Sequence, residues 1–288
     1  MGPTVDSEEG GPTGGGKAPA QQFRVLLLWA LVFLAFRVLF VRLDGLPPSL
    51  ALPVGVAVFM LLSLLGPRYA APLRLPPVVS LLGFMLFGAL SLGIAAWWGG
   101  PPPRPLPVPL AAVADLCLIL AAIALGHLLL RLFREPNLLV PAAVAAAVID
   151  YAMVYSPSGT TRALLEQHAE VVDKLSVAVP VPGMPDLQLG VGFGDFVFLS
   201  LFLAAAVRFD LRERRTFWVC TAFLVVAMAL VALTGVPVPA LVPMAIAFVV
   251  ANAGRIRFAR EEVRAMGVVA LVIAAAAVLA LVARTLRH

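Results

Sequence analysis

Two aspartates, Asp150 and Asp195, interrupt apolar stretches that otherwise keep charge out. Asp195 closes the run Gly192-Phe193-Gly194-Asp195, and Asp150 ends the run Val-Pro-Ala-Ala-Val-Ala-Ala-Ala-Val-Ile. A carboxylate at membrane depth costs roughly 2.5–3.5 kcal/mol on insertion scales, so it is a functional candidate by default. Two carboxylates held close together do not both ionise readily, and one proton is shared between them. The ionised member can act as general base on a water molecule while the protonated member polarises a carbonyl. Gly192 and Gly194 lack side chains, so substrate, water or a partner helix can approach Asp195 closely. Asp150 and Asp195 are therefore the catalytic candidates, with Gly192, Phe193, Gly194 and Tyr151 shaping their surroundings. Peptide-bond hydrolysis is the chemistry that such a pair supports.

The elements that must position this pair are membrane helices. Of 288 residues 61% are hydrophobic and only 13% charged, with a mean hydropathy of +1.00, against about 25% charged in soluble domains. Apolar runs near 20 residues recur along nearly the whole chain, each long enough to cross roughly 30 Å of hydrocarbon as a helix. The runs are continuous rather than alternating, which excludes a membrane barrel and leaves helices to satisfy the backbone. The net charge of +5 reads as basic residues flanking membrane helices, not as a nucleic-acid surface. Cys117 and Cys220 lie in apolar segments and read as small hydrophobes. His127, His168 and His288 are too scattered for a zinc cluster, and no metal or cofactor is expected.

The expected architecture is all-α, a polytopic bundle of about nine helices. Residues 1–22 form a polar, Gly- and Pro-rich tail expected to be disordered. Residues 23–135 hold four N-terminal helices: 23–43, 49–66, 76–98 and 109–132. Residues 136–253 form a core with helices at 137–155, 189–208, 216–235 and 237–253. Residues 254–288 add a loop and an extra helix at 265–283. The longest polar connection, 156–188, joins the two aspartate-bearing helices. Glu166, Glu170 and Asp173 within it read as a solvated surface. Asp115 and His127 on the fourth helix read as snorkelling or packing groups. With nine helices, 14 basic residues fall on the side of the N-terminal tail and seven on the other. That tail is then cytoplasmic and 156–188 faces outward.

Asp150 sits about five residues before the end of its helix and Asp195 about six after the next begins. Both then lie roughly 8–9 Å below one membrane face. The eighth segment returns to that face with Pro237-Val238-Pro239-Ala240-Leu241-Val242-Pro243, whose prolines forbid a regular first turn. Irregular backbone beside a carboxylate pair can hold an extended substrate strand by β-pairing, which makes Pro239, Ala240 and Leu241 the substrate-binding candidates.

These residues carry a resemblance. Gly-Phe-Gly-Asp-Phe resembles the second-aspartate motif of the presenilin and signal peptide peptidase family, the Gly-x-Gly-Asp-type intramembrane aspartyl proteases. Pro239-Ala240-Leu241 resembles that family's Pro-Ala-Leu motif, two helices downstream. Asp150, Pro157, Gly159, Arg162 and Leu164 are similar in spacing to the presenilin first-aspartate helix and its exit. The similarity spans roughly 140–250. It implies a presenilin-like fold, here a prokaryotic homologue in the plasma membrane, and an aspartic endopeptidase acting without cofactors on transmembrane proteins or peptides. Three features depart from the pattern. Ile149 stands where the family has Tyr, with Tyr151 about 100° away round the helix. Four helices rather than five precede Asp150, and one more follows Pro-Ala-Leu. A proton- or ion-coupled transporter also places carboxylates and a broken helix in the membrane, but no internal repeat is visible. A prepilin peptidase shares Gly-x-Gly-Asp only, and the altered Tyr position leaves an inactive substrate-binding relative open. Partner subunits are not legible in the sequence.

Overall fold

The structure, a computed structural model, describes residues 19–40, 48–98, 107–155, 175–178, 190–234 and 238–256. Within these the chain is a helical bundle with one small strand pair. The helices are α1 (Pro19–Phe40), α2 (Pro48–Ala70), α3 (Pro77–Trp98), α4 (Val108–Leu129), α5 (Leu139–Tyr155), α6 (Phe193–Arg208), α7 (Glu213–Thr234) and α8 (Leu241–Ala251). Proline opens or nearly opens α1 to α4, where its fixed φ suits a first turn and its missing N–H would have had no partner. Five helices are long and apolar enough to cross a membrane: α1, most of α2, α3, α4 extended to Leu132, and most of α7. The protein is thus a largely helical, membrane-embedded bundle.

The elements differ from the sequence reading in two places. Pro19–Gln22 belong to α1 rather than to a disordered tail. The expected helix 189–208 starts at Phe193, because Gly190–Gly192 is strand β2, paired antiparallel with β1 (Ser176–Ala178). This strand pair is a small addition to a bundle that is otherwise helical. Helical geometry is costly for a Gly-Val-Gly segment, and pairing Val177 with Val191 buries both. The eighth helix begins at Leu241, after a non-helical Val238–Ala240, the irregular start that its prolines led one to expect. The tail up to residue 18, most of the 156–188 connection and the helix expected at 265–283 lie outside the described residues.

α4 is the hub of the bundle, packing against α1, α2, α3, α6 and β1. Thirteen of its residues are buried, whereas α1 and α3 turn most of their apolar surface outward, as lipid-facing helices do. Gly126 of α4 lets α6 approach: a Cβ there would sit 2.6 Å from the Ser200 Cβ and 2.9 Å from the Val197 carbonyl oxygen. Gly66 plays the same part for Trp29, whose ring lies against it while its Nε1 donates to the Leu62 carbonyl at 2.7 Å.

α1 is tied to α4 by charge. Arg37 donates from Nε and Nη2 to Asp115 Oδ2 at 2.9 and 2.6 Å, and both side chains are buried. Asp115 is a packing residue in that sense. His127 contacts the Ile123 and Ala70 carbonyls at 3.0 and 3.1 Å, another buried structural group.

Removing one member of the buried pair strands the other charge in the bundle. Arg37→Met or Asp115→Leu alone should destabilise the protein by about 3–5 kcal/mol, and the double variant by clearly less. Equilibrium unfolding in detergent micelles reads both. Gly126→Ala should cost about 1–3 kcal/mol through overpacking in the same assay.

Candidate functional site

Asp195 lies in the first turn of α6, and that turn is sunk in the bundle. Phe193 meets Phe84 of α3 at 6.4 Å between ring centroids, and Ser200 lies beside Gly126 of α4. Phe84 is 14 residues before Trp98. By the Gly126 register, Asp195 is about level with Ala122, 14 residues after Val108. At 1.5 Å per residue, both place Asp195 roughly 20 Å below the ends of α3 and α4 on that side. The sequence reading took residues 189–192 as helix, whereas Gly190–Gly192 is strand, which rises further per residue and carries Asp195 deeper.

A helix that starts inside a bundle must find partners for its first amides. Phe193 N–H donates to the Leu175 carbonyl at 2.9 Å, so the residue just ahead of β1 caps α6. Asp195 Oδ2 accepts the Gly192 N–H at 3.2 Å. This is the reverse arm of a capping box alone, since Gly192 has no side chain for the forward arm. Gly192 is in close range of its acid, a Cβ there falling 3.4 Å from Asp195 Oδ2. Gly194 is exposed, and a Cβ on it would meet nothing within 4 Å. Space thus lies open next to Asp195. Phe193 anchors the turn to α3.

Asp150 comes from α5, five residues before its end at Tyr155. Its Oδ2 accepts the backbone N–H of Leu241 at 2.9 Å. Leu241 is the first residue of α8, and Ala240 ahead of it offers no side-chain cap. Asp150 supplies that cap from another helix. Pro239 is buried, and Ala240 and Leu241 are half-buried. Val238–Ala240 carry the non-helical backbone that the prolines demand; Pro237 lies outside the described residues, as do Pro157, Gly159, Arg162 and Leu164.

The three sequence motifs converge. α8 packs on α5 and also touches α6, and the Asp150 and Asp195 carboxyl groups interact electrostatically. Both side chains are half-buried, within reach of water. Tyr151 follows Asp150 on α5. It lines an apolar cavity of about 460 Å³ between α5 and α8 with Val144, Ala147, Val148, Val242 and Ile246. It shares the face of Val148 and Val144, not that of Asp150, as 100° per residue requires.

No protein-family model matches the chain, and no curated protein matches it.

Among the described residues no three His, Cys, Asp or Glu side chains gather as a metal site. Cys117 and Cys220 are free and buried. The feature that sequence reasoning missed is the Arg37–Asp115 pair. Its signal was present: two opposite charges, each alone in an apolar run.

The cap and the chemistry of Asp150 separate by substitution. Asp150→Asn keeps an acceptor for Leu241 and should leave stability within about 0.5 kcal/mol, whereas Asp150→Leu should cost about 1–2 kcal/mol, the scale of a lost N-cap. Thermal unfolding of the two variants in one detergent compares them.

Proposed function

We propose that this protein is an intramembrane aspartyl protease of the presenilin-like type. The observation that carries the reading is the meeting of Asp150, Asp195 and the Pro239-Ala240-Leu241 segment at one place inside a helical bundle. Three motifs separated by up to 91 positions converge on two carboxylates, where an uncharged acceptor would serve the caps equally well. A bridging hydrogen bond between membrane helices contributes only about 1 kcal/mol.

In this reading the pair shares one proton. The ionised carboxylate draws a proton from water as that water attacks the scissile carbonyl. The protonated one donates to the carbonyl oxygen, and the proton passes to the departing amine as the roles exchange. A transmembrane helix must unwind to expose its peptide bond. Two stretches of irregular backbone flank the site: β2, whose sheet has two strands among the described residues, and Val238–Ala240. Both suit an extended substrate held by main-chain pairing. Gly194 leaves room for it.

The full chain then spans the membrane about nine times, with 136–253 as the catalytic core, in a prokaryotic plasma membrane. Arg68, Arg74, Arg131, Arg134, Arg208, Arg212, Arg214, Arg215 and Arg255 all lie at helix ends away from the site-side ends of α5 and α6. Near the opposite ends Arg37 is the sole described cation, and it is paired. With Arg42, Arg104, Arg162 and Lys174 outside the described residues, the division of 14 to 7 over the whole sequence is what supports a cytoplasmic basic face and a site approached from the other side.

One observation favours a second reading, a catalytically inactive relative: Asp150 already has a structural task in capping α8. Purified protein should cleave a model transmembrane peptide in detergent. Asp150→Ala, Asp195→Ala and the cap-preserving Asp150→Asn should each lower turnover at least about a hundredfold. Gly194→Val should fold normally and cleave poorly. Wild-type turnover by either aspartate variant sinks the dyad, and an inert wild type with intact stability favours the inactive relative. Gradient-driven uptake in proteoliposomes would point to a transporter instead.

A further inference from the structure

We propose that a cavity on the basic face, bounded by Arg74, Arg131 and Arg208, binds the phosphate headgroup of an anionic glycerophospholipid. The cavity, about 640 Å³, opens between the α2–α3 connection and the C-terminal ends of α4 and α6. It is remote from the carboxylate pair and independent of its role.

Three arginines line it and no carboxylate does. Glu213, on the same face, is engaged by Arg68 at 3.9 Å. Cations at helix C-termini ordinarily answer the last carbonyls, but each of two of these makes a single bond to a backbone carbonyl. Arg131 Nη2 donates to the Leu75 carbonyl. Arg208 Nη1 donates to the Leu130 carbonyl at 2.9 Å, with its guanidinium 5.2 Å from the centre of the Phe209 ring. Each guanidinium carries five N–H donors in a rigid fork that fits phosphate. Both are therefore held in place with donors to spare, and the exposed Arg74 adds a third charge. Three full positive charges outweigh the partial negative charge of two helix ends.

The walls decide between a free anion and a lipid. Beside the arginines stand Leu73, Leu75, Pro76, Leu130 and Val207. A small ion makes no use of such surface, whereas a glycerol backbone and the first acyl methylenes do. The cavity also sits where helices end, at headgroup depth, on the side that positive charge marks as cytoplasmic. Basic pockets between membrane helices on that side suit anionic headgroups.

The test is native mass spectrometry of the full chain in mild detergent, titrated with dioleoyl phosphatidylglycerol or dioleoyl phosphatidylcholine. The wild type should retain the anionic lipid about tenfold more tightly. The triple variant R74Q/R131Q/R208Q should lose that preference. R74Q alone, whose side chain is exposed and so leaves folding intact, should weaken it several-fold. Equal retention of the two lipids by the wild type overturns the proposal, as does an unchanged preference in R74Q and the folded triple variant. Displacement of the lipid by equimolar inorganic phosphate reassigns the cavity to a free anion and also overturns it. Tighter binding of a poly-glutamate peptide than of the anionic lipid overturns it in favour of a protein partner.

Discussion

A helix that begins inside a bundle has amides that water cannot reach, and this protein has two of them side by side. α6 starts at Phe193 near mid-depth and α8 starts at Leu241 beside it. Each unsatisfied amide in that setting costs several kcal/mol, so the chain must bring an acceptor to each. Leu175 and Asp195 serve the start of α6; Asp150 serves α8. The β1–β2 pair is part of the same solution, because it carries the backbone from the loop down to the buried start of α6. The site is thus assembled from answers to one constraint.

That constraint rests on close packing elsewhere. α6 reaches its depth because Gly126 lets its backbone lie against α4. α4 is in turn fixed to α1 by the Arg37–Asp115 pair and packs broadly on α3. The outer faces of α1 and α3 hold exposed Leu and Val residues such as Leu28, Leu31, Val78 and Leu82, which have no partner to seek in lipid. Small residues and a buried ion pair, rather than an apolar driving force, therefore set how the helices meet.

Much of this was legible in the sequence. The apolar runs located the described helices because hydrophobic length alone marks a membrane span. The two aspartates stood out because burial of charge is costly, and the prolines from 237 to 243 foretold a broken helix. Residues 190–192 were not legible as strand. Gly-Val-Gly reads as a continuation of the apolar run, and only its pairing with 176–178 reveals it. Arg37 and Asp115 stood out as lone charges in apolar runs, but their pairing across 78 positions was not legible in either run alone. The α8 cap was equally hidden, since Asp150 supplies it from across the bundle.

The bond between Asp150 and Leu241 gives a proton mechanical leverage. An ionised carboxylate holds a backbone amide roughly twice as strongly as a neutral acid does. Loading a proton onto Asp150 therefore loosens its hold on the first residue of α8, an element only 11 residues long. Removing the proton tightens that hold. Any step that moves a proton between the two aspartates would thus tug on the segment beside them, tying the charge state of the pair to the position of a helix end.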